Sequence, residues 1–198
     1  SGIDNGDNNG DAGNHVLEDG EIDHSASVCK AGMSALTSYT SGWVDSITEF
    51  NGKIYYRYES ADYGYELWTM DFYGNAEMLK DINVGEAHSY PTIFGQTEDL
   101  LFFEARTSTH GDELWVTDGT ESGTNMVKDI NPGTNNGFYA YGGFHYFNDK
   151  FYFGADNGTT GDELWVTDGT ENGTYLVKDI RGEDSNGNNY GSNPNGFT

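Results

Sequence analysis

The chain has 198 residues with 33 Asp and Glu against 9 Lys and Arg, which gives a formal net charge of −24. This excess of acid argues against nucleic acid or an anionic membrane surface as a partner and makes cations the natural counterpart. Aromatic residues make up 15% of the chain beside 28 glycines, a mixture that favours strands and tight turns, and the single cysteine excludes an internal disulfide.

The first predicted element is an acidic leader over residues 1–14, rich in Asn and Gly, which we interpret as a calcium loop. Alternating oxygen side chains on a glycine-rich loop can converge on one Ca²⁺, and the spacing follows an EF-hand loop except that Ala12 stands where glycine is expected. The ligands predicted here are Asp7, Asn9, Asp11 and Glu18. A second alternating run near the other end consists of Asp184, Asn186 and Asn188. The alternative for both runs is a solvated polar segment.

Further along the chain a unit of roughly 50 residues recurs, with its clearest copies at residues 111–130 and 161–180. Seventeen of these twenty positions are identical. Trp115 and Trp165 are 50 residues apart, and Trp68 lies 47 residues before Trp115. Each copy contains four strand-like segments joined by short turns such as Asn51-Gly52, which is typical of antiparallel hairpins in a meander.

These copies divide the chain, which we expect to form a single domain over residues 1–198. The divisions are a degenerate half-repeat at 15–42, repeats at 43–82, 83–130 and 131–180, and the start of a closing repeat at 181–198. Periods of about 40 to 50 residues with four strands each are typical of propeller blades. We therefore predict an all-β, β-propeller-like fold of about four blades, each a four-stranded antiparallel meander, with the last blade closed by both termini. The alternative is a fragment of a longer propeller.

The repeated E-L-W-x-T-D-G-T, followed by G-T-x-x-V-K-D-I, resembles the repeat of secreted and surface-exposed bacterial proteins with propeller-like architecture. The resemblance is strong over residues 99–180 and fair over 43–98. By its size, its acidity and its first dozen residues, the chain is also similar to the calcium-dependent peptide-binding domains of giant repeats-in-toxin adhesins. These resemblances imply an extracellular, cell-surface location and Ca²⁺ as a cofactor.

Ligand-binding residues are expected where the units differ, because a residue present in every unit serves the fold. The first full repeat departs most, since tyrosines crowd around Arg57. Arginine can hold a ligand carboxylate through two parallel hydrogen bonds while tyrosines stack or donate. The predicted ligand-binding residues are Arg57, Tyr55, Tyr58, Tyr63 and Tyr65, with a second cluster at Tyr139 and Tyr141. The structural alternative is an exposed Tyr-rich strand with Arg57 paired to an acid.

The sequence contains no H-E-x-x-H, no G-x-S-x-G and no P-loop, so we expect no enzymatic activity. Apolar runs fall short of the roughly 18 residues that span a membrane, so direct insertion is not expected. The predicted function is a calcium-dependent adhesion module, monomeric within a longer chain, that binds a peptide or protein on a host or neighbouring cell. The alternatives are a glycan-binding, lectin-like propeller, a carbohydrate-active propeller enzyme and a spacer.

Overall fold

The computed structural model describes residues 45–183 and 190–194, apart from the side chains of residue 45 and residues 139–142. This part of the chain forms twelve strands. They are β1 (Asp45–Phe50), β2 (Lys53–Ser60), β3 (Gly64–Met70), β4 (Ala76–Lys80), β5 (Thr92–Gln96), β6 (Leu101–Ala105), β7 (Glu113–Thr117), β8 (Asn125–Lys128), β9 (Phe138–Phe147), β10 (Lys150–Asp156), β11 (Asp162–Thr167) and β12 (Tyr175–Lys178). None of the described residues belongs to a helix that is long and apolar enough to cross a membrane.

The strands pair in chain order into three antiparallel sheets of four strands: sheet 1 is β1 to β4, sheet 2 is β5 to β8 and sheet 3 is β9 to β12. The predicted all-β fold of four-stranded antiparallel meanders is confirmed. In the two-residue turn between β1 and β2, Asn51 and Gly52 have φ angles of 48° and 72°. Positive φ at both positions is what a tight hairpin turn of type I′ requires, which explains the Asn-Gly sequence.

The third and fourth strands of every sheet share one irregularity. The register shifts between Leu67 and Trp68 in sheet 1 and between Leu114 and Trp115 in sheet 2. The same shift separates Leu164 from Trp165 in sheet 3. The repeated Leu-Trp pair therefore marks a bulge that recurs in all three sheets, in addition to its place in the core.

Sheet 2 lies between the other two sheets and contributes to two cores. Leu101 and Phe103 pack with residues of sheet 1, whereas Phe102 packs with Phe151 and other residues of sheet 3. Successive side chains of a strand point to opposite faces, so a strand buried on both faces reads as a continuous apolar run. This packing explains the continuous apolar run Leu101-Phe102-Phe103 of β6.

The glutamate of each E-L-W segment is fully buried and binds the chain that leads out of its own sheet. Glu66 accepts the N–H groups of Ile82 and Asn83, each at 3.1 Å, and Glu113 accepts those of the residues that follow β8 in the same way. Burial raises the pKa of both carboxyl groups from 4.5 to about 7, although the hydrogen bonds oppose the shift. These glutamates fix the connection between one sheet and the next.

Candidate functional site

The candidate site lies at the junction of sheets 1 and 2, where the β4–β5 and β6–β7 connections meet the start of β3. Four side chains from these segments contact one another, and we call them the junction cluster: Tyr65, His88, Tyr90 and Arg106. Because successive antiparallel strands run in opposite directions, every second connection lies at the same end of the strands. The β2–β3, β4–β5 and β6–β7 connections share that end. The cluster is therefore built from loops held by strand ends.

Stacked aromatic rings form the centre of the cluster. The Tyr65 and Tyr90 rings are stacked with centroids 5.4 Å apart and 27° between their planes. The His88 ring lies 5.3 Å from Tyr65 and 5.0 Å from Tyr90. Tyr90 remains 39% exposed, so part of this aromatic surface faces solvent.

Backbone contacts hold the rings in place. The N–H of Tyr65 donates to Nδ1 of His88 at 3.0 Å, which places the proton of the neutral imidazole on Nε2. Tyr90 has a φ of 48°, in the left-handed region that an aromatic residue rarely adopts. Its N–H and that of Ser89 both donate to the Tyr65 carbonyl. Strained backbone of this kind persists only where surrounding contacts fix it, and it is frequent at binding sites.

Two guanidinium groups bracket the stacked tyrosines. Arg57 lies 5.8 Å from the centroid of the Tyr65 ring, and Arg106 lies 5.2 Å from that of Tyr90. Arg106 also forms a bidentate pair with Asp112, with N···O distances of 2.6 and 2.7 Å. Cations over aromatic faces are stabilising, and two of the chain's 9 basic residues meet at this one junction.

Two further acids interact electrostatically with residues of the cluster. A hydrogen bond to Glu59 is the main cause of the raised pKa of the Tyr65 phenol. Burial raises the pKa of Glu104 to about 7, the charge of Asp112 adds to the shift, and Arg106 opposes it. The cluster therefore combines hydrogen-bond donors and aromatic faces, while Glu104 lies on the other face of sheet 2 and responds to the charges of Arg106 and Asp112.

The structure brings together only part of the predicted ligand-binding set. Arg57 and Tyr65 lie in or beside the junction cluster. Tyr55 is buried in the core between sheets 1 and 2, where its ring meets Phe50 edge-on at 5.7 Å. Tyr58 stands on the opposite face of β2 from Arg57 and contacts Trp68, while Tyr63 is 40% exposed in the β2–β3 turn.

The remaining predicted residues are not described. Tyr139 and Tyr141 belong to β9, but their side chains lie outside the described part of the structure. The predicted calcium ligands also lie outside it: Asp7, Asn9, Asp11, Glu18, Asp184, Asn186 and Asn188. Among the residues that are described, no three His, Cys, Asp or Glu side chains are placed to hold a metal ion together.

Sequence reasoning missed His88, Tyr90, Arg106 and Asp112 as members of the site. One signal was available, since Arg106 is the only Lys or Arg between Lys80 and Lys128. A lone cation in so acidic a segment is unusual enough to single out. That Tyr90 faces Tyr65 follows from the β4–β5 connection folding back onto the start of β3, which no local pattern reveals.

Comparison with known proteins adds no function to this geometry. No protein-family model matches the chain. No curated protein matches it either. A functional assignment therefore depends on the chemistry of the junction cluster and on the sequence.

Proposed function

We propose that the chain is a non-catalytic, extracellular module that binds a peptide or protein segment at the junction cluster, with Ca²⁺ as a stabilising cofactor. The observation that carries this proposal is the stacked Tyr65–Tyr90 pair with a guanidinium at either end. Tyrosine and arginine are the residue types that most often dominate binding energy at protein interfaces.

The chemistry of the cluster favours a segment with hydrogen-bond acceptors. Arg106 directs two N–H groups to Asp112, and its other N–H groups are available to a ligand carbonyl or carboxylate. The net charge of −24 repels polyanions. A single ligand carboxylate is therefore expected to bind only where it lies directly beside an arginine. A short peptide offers carbonyl groups and, at its terminus, one carboxylate.

The test is a binding screen on immobilised peptides and glycans, in CaCl₂ and in excess chelator. We expect peptides to be captured, and Tyr90→Ala to weaken capture about tenfold or more because it removes an interfacial aromatic ring. The matched control is Tyr175→Ala, which removes a tyrosine that is 46% exposed under Lys150 in sheet 3. Equal capture by the two variants would refute the site, and capture of glycans alone would replace the peptide by the lectin-like alternative.

The calcium part of the proposal depends on the acidic runs of the sequence. An ion that binds only the folded chain raises its midpoint of thermal unfolding. We expect Ca²⁺ to raise that midpoint and Asp11→Asn to reduce the effect. The same midpoint in Ca²⁺ and in chelator would contradict the role of Ca²⁺.

We also propose that a fourth sheet completes a propeller-like ring. Val127 and Ile130 of sheet 2 are 6% and 4% exposed, whereas their counterparts in sheet 3, Val177 and Ile180, are 44% and 56% exposed. The Ser192 hydroxyl donates to the carboxylate of Glu163 at 2.6 Å. The Ser89 hydroxyl, in the β4–β5 connection, donates in the same way to Glu66 of sheet 1. The segment at 190–194 therefore contacts Glu163 as the β4–β5 connection contacts Glu66, which supports a further sheet after sheet 3. Residues 15–42 are proposed to complete that sheet.

Ring closure predicts a specific loss of stability. If a fourth sheet covers sheet 3, Ile180→Asp lowers the midpoint of thermal unfolding about as much as Ile130→Asp does, because each buries a carboxylate. If the face of sheet 3 is open, Ile180→Asp leaves the midpoint unchanged. The comparison of the two variants decides between these outcomes.

A further inference from the structure

One hydrogen bond of the junction cluster depends on the protonation state of a side chain. The N–H of Tyr65 donates to Nδ1 of His88 at 3.0 Å, and this contact is partly buried. A ring nitrogen accepts a hydrogen bond only while it carries no proton, and histidine is the side chain that ordinarily changes its charge between pH 5 and 8. Protonation of His88 therefore turns the acceptor into a second donor that faces the same N–H group.

The surrounding backbone holds the imidazole against the start of β3. A Cβ built on Gly64 would come within 2.6 Å of Nδ1 of His88. The carbonyl of His88 accepts a hydrogen bond from Nδ2 of Asn83 at 2.9 Å, which fixes the β4–β5 connection from its other side. The ring also packs against both Tyr65 and Tyr90. A protonated ring cannot keep this place, because two N–H groups would point at one another, so both tyrosines lose their contact with the imidazole.

The equivalent place at the next junction holds an acceptor that does not titrate. Nδ2 of Asn131 donates to the carbonyl of Asn136 at 3.2 Å, just as the asparagine of the β4–β5 connection donates to the carbonyl of His88. The side-chain Oδ1 of Asn136 then accepts the N–H of Asp112 at 3.0 Å. A carboxamide oxygen accepts at any pH near neutrality. The repeat therefore requires an acceptor at this place, but it does not require a histidine.

Charged and titratable groups surround the imidazole on several segments. Those on the segments packed around it are Tyr65 of β3, Glu86 and Tyr90 of the β4–β5 connection, Arg57 and Glu59 of β2, and Arg106 with its partner Asp112. Burial raises the pKa of Glu66 to about 7, and this carboxyl group accepts the hydroxyl of Ser89, the residue after His88. A test of His88 therefore has to compare chains that share Glu66.

We propose that His88 is a pH-dependent switch of the junction cluster, which holds the aromatic stack together while its imidazole is neutral and releases it when the imidazole is protonated. This inference rests on the proposed function, because it assigns the regulation of the same binding site. If a ligand binds only the form with a neutral imidazole, its affinity falls about tenfold for each pH unit below the midpoint of the His88 titration. The module then binds its ligand at neutral pH and releases it in acid.

The first measurement follows the backbone N–H signal of Tyr65 by NMR from pH 8 to pH 5, in the full chain labelled at its tyrosines. Tyr65→Phe identifies this signal among those of the 14 tyrosines by its loss. We expect it to shift with pH as the bond to Nδ1 is lost, and to shift much less in His88→Asn, which supplies the acceptor found in sheet 2. Glu66 and Glu104 titrate in both chains, so the difference between the two profiles belongs to His88.

The reverse substitution keeps the test decisive if His88→Asn does not fold. Asn136→His places a titratable acceptor opposite the N–H of Asp112. We expect the backbone N–H signal of Asp112 to respond more strongly to pH in this variant than in the natural chain. The same response in both chains would show that an imidazole at this place in the repeat does not act as a switch.

The second measurement is capture of the chain on an immobilised library of random heptapeptides with free carboxyl termini, at pH 7.5 and at pH 5. These termini stay ionised at both values, because an α-carboxyl group ordinarily has a pKa of about 3.5. We expect capture of the natural chain to fall about tenfold or more at pH 5. For His88→Asn we expect the ratio between the two pH values to be about twofold or less, whatever its capture at pH 7.5.

The outcomes separate the switch from the proposed function. The same pH profile of the Tyr65 signal in the natural chain and in His88→Asn overturns the switch. Equal pH dependence of capture in these two chains also overturns it and leaves the proposed function intact. A Tyr65 signal that depends on pH through His88, in a chain that captures no peptide at either pH, refutes the proposed function and leaves the switch of the cluster standing.

Discussion

Glu104 provides the sharpest test of the electrostatics around Arg106 and Asp112. It lies opposite Leu114 on the face of sheet 2 that packs against sheet 3. Burial is the main cause that raises its pKa from 4.5 to about 7. Glu104→Gln keeps the size of the side chain and removes the titration, so it isolates the effect of the charge.

The sign follows from proton binding. The folded chain holds the Glu104 proton more tightly than the unfolded chain, so the stabilising contribution is present below pH 4.5 and is lost as the pH rises through about 7. At about 1.4 kcal/mol per pH unit, the difference between the two values corresponds to about 3 kcal/mol. Partial exposure to solvent reduces this, and we expect Glu104→Gln to be about 2 kcal/mol more stable than the natural chain at pH 8.5.

The assay is urea unfolding of both chains from pH 5 to pH 8.5. The free energy of unfolding of Glu104→Gln should exceed that of the natural chain at pH 8.5, and the two should approach one another at pH 5. Glu66 and Glu113 titrate in both chains, so their contributions cancel in the difference. Glu171→Gln, in an exposed turn, is the control. A constant difference across this range, or a Gln variant that is less stable at pH 8.5, would refute the reasoning.

Three further substitutions test the contacts between and within the sheets by their free energies of unfolding. Glu113→Ala leaves two buried backbone N–H groups without an acceptor and should cost about 2–5 kcal/mol, more than the same change at an exposed glutamate. Lys128→Met removes a bond to the β11–β12 loop of sheet 3 and should destabilise the fold by about 1 kcal/mol. Lys53→Met removes an ion pair with the exposed Glu77 and should change less, and equal effects would contradict this. Asp156 lies directly opposite Asp162 across β10 and β11, so two like charges face one another. Asp156→Arg should therefore stabilise sheet 3 by about 1 kcal/mol. A loss of stability would contradict this and show that the lost hydrogen bond from the Gly158 N–H dominates.

The repeat makes the strands of this fold predictable. Apolar runs bounded by turn residues correspond to the strands found, and Asn51-Gly52 adopts the tight turn that its sequence requires. A residue present in every unit is expected to serve the fold, and the recurring Glu113 does so in full burial. Local chemistry decides each of these features, so local patterns suffice to predict them.

The candidate site was only partly predictable for the same reason. Arg57 and Tyr65 stand out in one repeat, but Tyr55 and Tyr58 stand out equally and face elsewhere. The alternation of β2 separates Arg57 from Tyr58, and the packing of sheet 2 covers Tyr55. Tyr90 joins the site because the β4–β5 connection folds back onto Tyr65, and a contact between residues this far apart in the chain is not contained in a local pattern.

The two arginines of the site occupy positions at which the sheets differ. Arg57 lies opposite the leucine of the E-L-W segment in sheet 1, and the equivalent positions hold Glu104 in sheet 2 and Gly154 in sheet 3. Arg106 follows β6, where sheet 3 has Asp156 at the end of β10. A residue that the repeat requires would occupy the equivalent position in every sheet. Neither arginine recurs at its equivalent positions. Their meeting at one junction, each over a tyrosine, is therefore not a by-product of the repeat, and it is the strongest structural reason to expect the ligand there.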